Sequence, residues 1–387
     1  MKIVFASNFL NHHQAPVCDE LYKLTGENFH FIETTQVPED RKKMGYKNFH
    51  TKPYAIQAWK NENDRNFAIE ICNNADVILF TPSTVEYAIK AIKDGKICFE
   101  IAERWLKRGY INLLSPLLLK CLWHYHTLFY KKRVFRLCSS AFAAMDEYKM
   151  QAYKNRCYKW GYFTKVDKIE IESIVRQKNT GEIKIMWCAR FIDWKHPKLP
   201  IMLASRLKDA GYKFHINMFG DGERCVEMQQ LSAKLGVTEH ITFNGNKQNE
   251  EILSSMREHD IFLFTSDKNE GWGAVANEAM GNGCVLVASD EIGSIPFLIN
   301  EGENGCIFKS KDIDSLTEKV EYLINNPKER EKMAINAYKT MRDTWSPQNA
   351  AKSLLQLIED IENKRETSII DGPCSKALPQ KEALYRR

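Results

Sequence analysis

The sequence predicts an α/β protein of two parallel-sheet domains, on three observations. Its 387 residues are more than one hydrophobic core usually serves. Apolar runs of strand length alternate with helix-period stretches along most of the chain, the pattern of parallel strands covered on both faces. That alternation is interrupted by the polar stretch RQKNTGE at 176–182 and then restarts. Domains are therefore expected at 1–176 and 183–345. Ligands of such sheets bind outside the carboxyl ends of the strands, so a cleft between the two domains is the expected site.

In the first half, KIVFAS reads as a buried strand, followed by the loop NFLNHHQAP. VCDELYKLTG, apolar at Val17, Leu21 and Leu24, reads as a helix ended by Gly26. The strand FHFIET, a helix around Phe67 to Cys72 and the buried strand in ADVILFTPS come next. KICFEIAE repeats the strand pattern, and SSAFAAM and KWGYFTK close this half.

After 182 the units are IKIMWCAR with the helix LPIMLASRLKDAG, FHINMFGDGE with CVEMQQLSAKLG, and HITFNG with EEILSSMREHD. The strand IFLFTS then meets EGWGAVANEAMGNG, and CVLVASD is the next strand. Residues 346–363 form an amphipathic helix with Ala351, Leu354, Leu355, Ile358 and Ile361 on one stripe. Such a stripe is expected to dock on the first domain, and 364–387, without periodicity, reads as a flexible tail.

Composition excludes several classes. At 44% hydrophobic and 27% charged the chain is globular, not disordered. A net charge of +5 suits phosphate-bearing ligands but is too weak to argue for nucleic acid. The 11 cysteines lack a CxxC pair, and MKIVFASNFL is no export signal, so reduced thiols and a cytoplasmic protein are expected. SNFLNHHQ after the first strand lacks GxGxxG, which disfavours a dinucleotide oxidoreductase.

The chemistry concentrates in NEGWGAVANEAM. Gly271 and Gly273, without Cβ atoms, let a ligand approach the backbone. A helix starting near Ala274 presents amide groups suited to an anion. Glu270 sits in the loop, and Glu278, about one turn into the helix, suits hydroxyl groups of the same ligand. Carboxylates repel a diphosphate, so cations are required nearby. Arg190, at the end of IMWCAR, and Lys195, five residues on, supply a planar fork and a point charge that neutralise two phosphates without a metal. MFGDGE places Gly220 and Gly222 on the same sheet edge, as a plain turn or as a ligand contact.

Taken in order, CAR…K, FGDGE, TFNG, IFLFTS, EGWGAVANEAM, CVLVASD, EIGS and GENG resemble the C-terminal half of family 4 glycosyltransferases, over roughly 183–345. The resemblance implies a GT-B fold of two Rossmann-like domains and transfer of sugar from a nucleotide donor with retention, with no metal or other cofactor. It implies that Arg190 and Lys195 hold the donor diphosphate and that Glu270 touches the donor sugar. Amides after Gly271, with Trp272, Gly273, Ala274 and Gly220, would line the donor, and Glu278 would bind ribose. After CVLVASD this chain has Ser294 and Phe297 where many relatives have glycine and an acid. The first half is similar to enzymes building bacterial capsule, exopolysaccharide or lipopolysaccharide, which puts the acceptor beside Asn11, His12 and His13. In CFEIAERW, where relatives often carry a histidine, this chain has Glu100 and Glu103, so Glu103 and Arg104 join the acceptor side.

Blander readings stand beside these. Glu103 and Arg104 as a simple ion pair, the histidines as ordinary loop residues, and Trp194 as packing all fit the sequence; Trp272 is open between packing and a sugar platform. A nucleotide-sugar epimerase of the same architecture, or a partner subunit that binds donor without turnover, are the rival functions. From Arg104 to Met145 there are eight Lys or Arg and no acid, interleaved with Trp105, Tyr110, Trp123, Tyr125, Phe129 and Tyr130. Pro116, Lys120 and His124 break the apolar run, so it is no spanning helix. It suits a segment (104–136) lying on anionic lipids of the inner membrane, in balance with core packing plus a solvated basic face.

Overall fold

The computed structural model describes residues 1–39, 49–178 and 181–380. The chain divides into two compact units: residues 1–165 with the segment that begins at Thr344, and residues 166–343.

The first unit is a seven-stranded sheet in the order β3-β2-β1-β4-β5-β6-β7. Its strands are β1 Ile3–Ser7, β2 Phe29–Glu33, β3 Ala55–Gln57, β4 Val77–Phe80, β5 Ile97–Ala102, β6 Val134–Cys138 and β7 Cys157–Lys159. Every neighbouring pair is parallel. The central strands β1 and β4 are buried at every position, which is why they read as continuous apolar runs. Strand order reverses between β1 and β4, so the loops leaving these strands frame a crevice at the carboxyl edge.

The helix Ala15–Thr25 carries Pro16 in its first turn and stops at Gly26, whose φ of 60° suits a residue without Cβ. Val17 and Leu21 are buried, whereas Leu24 is exposed on the outer face. The late helix Pro347–Glu362 is capped by Ser346 and packs on Ala15–Thr25 within this unit. Its buried stripe runs through Ala351, Leu354, Ile358 and Ile361, with Leu357 in place of Leu355.

The following segment departs from the tail expected at 364–387. Cys374, Ser375 and Ala377 are buried, and the backbone runs antiparallel along β7. Lys159 N–H donates to Ser375 O at 2.8 Å, Cys374 N–H to Lys159 O at 2.7 Å and Ala377 N–H to Cys157 O at 3.0 Å. An edge strand offers unpaired donors and acceptors, and this segment satisfies them without needing a periodic apolar pattern. Residues 381–387 of the expected tail lie outside the described residues.

The second unit is a six-stranded parallel sheet in the order β10-β9-β8-β11-β12-β13. The strands are β8 Ile183–Cys188, β9 Phe214–Phe219, β10 Ile241–Phe243, β11 Ile261–Phe264, β12 Val285–Ser289 and β13 Gly305–Phe308. The unit begins before the polar stretch expected to separate the domains. Helix Ile171–Gln177 buries Ile171 and Val175, four residues apart, in the same core as Ile185, Val285 and Tyr338. Lys178 is buried too, its ammonium donating to the carbonyls of Gly283 at 2.6 Å, His259 at 2.7 Å and Met256 at 3.4 Å. Three carbonyl partners make burial of that charge tolerable, which a polar composition alone does not announce. Residues 179 and 180 lie outside the described residues.

Candidate active site

In the second unit strand order reverses between β8 and β11, so the chain leaving these two strands frames the crevice. Arg190 and Lys195 come from the turn after β8, and Glu270 from the turn after β11. The two turns are stitched together. Trp187 Nε1 donates to Thr265 Oγ1 at 2.9 Å, and Thr265 Oγ1 donates to the Lys195 carbonyl at 2.6 Å. The Asp267 amide donates to the Trp194 carbonyl at 3.0 Å.

On this frame the Lys195 ammonium meets the Glu270 carboxylate, both side chains being 12% exposed. Ser266 Oγ donates to the same Glu270 oxygen at 3.0 Å, and Trp194 lies 4.4 Å under the ammonium. Trp194 thus packs against the lysine, in line with a packing role. Arg190 is exposed, its guanidinium 6.0 Å from the Trp194 ring. Lys195 and Glu270 are therefore brought into contact, with Arg190 6.0 Å from the ring of Trp194, the neighbour it shares with Lys195.

The glycine turn after β9 has a structural cause. A Cβ on Gly220 would lie 2.0 Å from Ala189 O, and one on Gly222 2.7 Å from Phe191 O. These glycines let the β9 turn press against residues 189–191, and so fix where Arg190 emerges. At Gly273, with φ of 79°, a Cβ would meet the Phe264 ring at 2.2 Å.

Two expectations change here. Trp272 is fully buried, its indole N–H donating to Asn277 Oδ1 at 2.8 Å and its ring 6.3 Å from Phe297. As a core residue it presents no face to a sugar, which corrects its place in the donor set. Ser294, likewise buried, donates to the Trp272 backbone carbonyl at 2.6 Å, so both residues that depart from the family pattern contact Trp272, Phe297 at its ring and Ser294 at its main chain. The helix after Ala274 is Val275–Gly281, only seven residues, so individual amides rather than a long helix dipole are available to an anion. Glu278 lies in its first turn, and burial pushes its carboxyl up to about 7.

Sequence reasoning missed a second pair beneath the first. His196 follows Lys195 in a left-handed conformation, φ 50°, and its Nε2 lies 3.2 Å from Asp267 Oδ2. Asn269 donates backbone and side-chain N–H groups to Asp267 Oδ1 at 3.0 and 2.8 Å. Burial alone would raise the Asp267 pKa, yet His196 and Asn269 hold it well below the carboxylate range. A non-glycine residue at positive φ beside Lys195 was the available signal only once coordinates fixed it. Among the described residues no group of three or more His, Cys, Asp or Glu is arranged to hold a metal ion.

In the first unit the acceptor-side residues split. Asn11 Oδ1 accepts from the His13 and Gln14 amides at 2.9 and 3.1 Å, shaping the start of helix Ala15–Thr25. His13 stacks on Tyr162 at 5.3 Å, and burial, then the neighbouring His12, lowers its pKa to about 3. It is neutral near pH 7, and both histidines are half-buried. Tyr162 also donates to Glu103 at 3.1 Å, so Tyr162 joins the two predicted loops.

Glu103 and Arg104 do not pair with each other. Lys107 bonds Glu103 at 2.5 Å, and Arg104 is buried in a two-point pair with Asp146 at 3.0 and 3.1 Å. Glu100 is buried against Arg136, and Tyr153 OH donates to it at 2.7 Å. Arg136 also bonds Glu147 at 2.7 Å. Arg104 and Glu100 thus have structural partners 42 and 36 residues distant in sequence, which corrects the acceptor-side placement of Arg104 and encloses Glu100, the alternative to Glu103 at the position where relatives often carry a histidine.

Comparison with known proteins accords with this geometry. Residues 168–340 match the family of Glycosyl transferases group 1. An uncharacterized glycosyltransferase of Methanocaldococcus jannaschii is 29% identical over 135 residues, 35% of this chain and 37% of that protein. The lipopolysaccharide core biosynthesis glycosyltransferase LpsE of Rhizobium meliloti is 24% identical over 175 residues, 45% of this chain and 49% of that protein. The chain thus spans less than half the length of these curated relatives. Among solved structures, HepE of Anabaena in complex with UDP has a TM-score of 0.68 at 14% identity, covering 93% of this chain and all of that one. The two parallel-sheet units and this likeness give the GT-B fold. The residues matched by that family lie within the second unit.

Proposed function

We propose that the chain is a retaining, metal-independent glycosyltransferase. It moves a sugar from a nucleotide-diphosphate sugar to a saccharide or lipid-linked saccharide in bacterial surface polysaccharide synthesis. The observation that carries this reading is the meeting of Lys195 with Glu270 at the switch point, beside the exposed Arg190. The diphosphate takes the Arg190 fork and the Lys195 ammonium, and Lys195 leaves Glu270 to do so. The freed carboxylate turns to the donor sugar as positive charge develops at its anomeric carbon. Charge on the departing diphosphate is stabilised by the two cations, and that diphosphate receives the proton of the acceptor hydroxyl attacking from the same face. Glu278 accepts from the ribose hydroxyls. UDP is the first nucleotide to test, because HepE was solved with UDP and with UDP-glucose. The likeness to LpsE, a glycosyltransferase of lipopolysaccharide core biosynthesis, supports the surface-polysaccharide assignment.

Residues 104–136 add a contact with anionic lipid at the cytoplasmic face of the inner membrane. Tyr110, Ile111, Leu114, Leu117, Trp123 and Tyr130 are exposed there, Leu114 at 82%. Lys107, Arg108, Lys120 and Lys131 to Arg133 supply the cations. Among the described residues no helix is long and apolar enough to cross a membrane.

The test is thermal stability with UDP, GDP, ADP, CMP and their sugar conjugates, each with EDTA. A nucleotide at about 100 times its Kd adds about 2.7 kcal/mol. One diphosphate is expected to stabilise strongly despite EDTA and to lose that effect in Arg190→Ala. No response from any nucleotide, with Arg190→Ala melting like the parent, overturns the reading.

A further inference from the structure

The first unit holds a cavity of about 950 Å³ that takes no part in the reaction above. Asn11 and His12 follow the carboxyl end of β1. The cavity instead lies where loop 150–156 enters the amino end of β7, closed by the segment that runs antiparallel along that strand. Because the strands are parallel, these are opposite ends of the sheet.

Its lining is amphipathic. Ala144, Ala152, Ala377 and Leu378 give apolar walls, and Tyr153 and Cys157 are buried at its base. The rim is cationic. Lys376 is paired with Glu366 at 2.9 Å, whereas Lys149 and Lys154 are exposed and without an ion-pair partner among the described residues. The loop between them is held in an unfavourable backbone: Gln151, Tyr153 and Asn155 have φ of 53°, 49° and 60°. Three such residues in one short loop are what a ligand-shaped pocket sustains and a plain connection avoids. Tyr153 also ties the cavity to the surface segment, its ring 4.5 Å from Tyr125 on the helix Pro116–His126, next to the exposed Trp123. Tyr148, exposed, lines the mouth.

We propose that this cavity binds one anionic membrane phospholipid, its phosphate on Lys149 and Lys154 and its hydrocarbon chain along the alanines and Leu378. The volume is at the upper end of the roughly 300–1,000 Å³ of ligand pockets, and a mostly apolar wall with few cations matches an anionic amphiphile better than a free anion. This extends the leaflet contact proposed above, so the lipid is supplied from the surface on which 104–136 rests.

The experiment titrates the full chain with monomeric dihexanoyl phosphatidylglycerol, dihexanoyl phosphatidylcholine and inorganic phosphate, read by calorimetry and by melting temperature. Saturable binding of the phosphatidylglycerol alone is expected. Lys149→Glu with Lys154→Glu should weaken it at least about tenfold by turning two attractions into repulsions. Ala377→Phe, which fills the cavity, should abolish it. Sedimentation with anionic vesicles through 104–136, and stabilisation by UDP, should persist in both variants, so failure of those readings is seen separately. An equal response to phosphate makes the site one for a free anion and overturns the proposal. So does an equal response to phosphatidylcholine, no saturable response, or unchanged affinity in the double variant. The double variant decides should Ala377→Phe fail to fold, because both lysines are exposed.

Discussion

The two units place charge in opposite ways within similar parallel sheets. In the first, Glu100, Arg136 and Glu147 form one buried chain and Arg104 is closed onto Asp146. Each charge there already has its partner inside the fold. In the second, Lys195 and Glu270 hold each other at a partly open crevice with Arg190 exposed beside them. A buried pair is costly to break and offers a ligand nothing, whereas a pair at a crevice can be exchanged for a diphosphate and a sugar. Identical residue types are thus enclosed in one unit and left at a partly open edge of the other, where on the proposed function they exchange a protein partner for a ligand.

Breaking the first arrangement should give the largest effect. Arg136→Ala leaves Glu100 and Glu147 buried without their cation, at a cost of about 3–5 kcal/mol. Denaturant unfolding is the check, and a loss below about 1 kcal/mol would mean the network is not what holds β5, β6 and helix Ala143–Lys149 together. Breaking the second should leave the fold and remove turnover. Glu270→Gln keeps the shape and the Ser266 hydrogen bond but not the negative charge. Sugar transfer is expected to fall about 10²- to 10³-fold, the usual scale for losing one preorganised transition-state contact. Its melting temperature should stay near that of the parent. A variant that transfers sugar at the parental rate would remove Glu270 from the transition-state contact, and a parent that binds nucleotide but transfers no sugar would instead favour the donor-binding subunit.

The same contrast explains what the sequence discloses. Buried parallel strands such as IVFAS and VLVAS are apolar throughout, so local composition reveals them. The turns proposed to hold the donor are legible because Arg190, Lys195 and Glu270 follow strand ends and Glu278 the next helix start, within a set of ordered motifs. Arg104 and Glu100 are illegible in the same way, because their partners lie 42 and 36 residues off and a pair that distant leaves no periodic signal. Trp272 stays open between packing and a sugar platform until Asn277 and Phe297 are seen against it. Residues 374–377 carry no strand pattern because what they supply to β7 is backbone hydrogen bonding. His196 and Tyr162 act through conformation and stacking, which neither spacing nor composition encodes.

The smallest expected effect sharpens the donor side through Glu278. Burial raises its pKa to about 7, so near neutrality a fraction of the ligand-free protein carries a proton there. Two opposite pH dependences follow. Between its ordinary value near 4.5 and about 7, the folded state holds this proton more tightly than the unfolded chain. This group's contribution to stability is therefore full at low pH and is lost as pH rises through about 7. Donor binding runs the other way, because ribose hydroxyls need an ionised acceptor, so affinity should rise through the same interval and level off above it. Below the midpoint the loss approaches about tenfold per pH unit if ionisation is obligatory. Calorimetric titration of the diphosphate nucleotide from pH 5.5 to 8.5, in the parent and in Glu278→Gln, reads the second, and denaturant unfolding over the same interval reads the first. The variant should bind more weakly at high pH and show a flatter profile. An unchanged slope in Glu278→Gln would assign the titration to another group and remove Glu278 from the ribose contact.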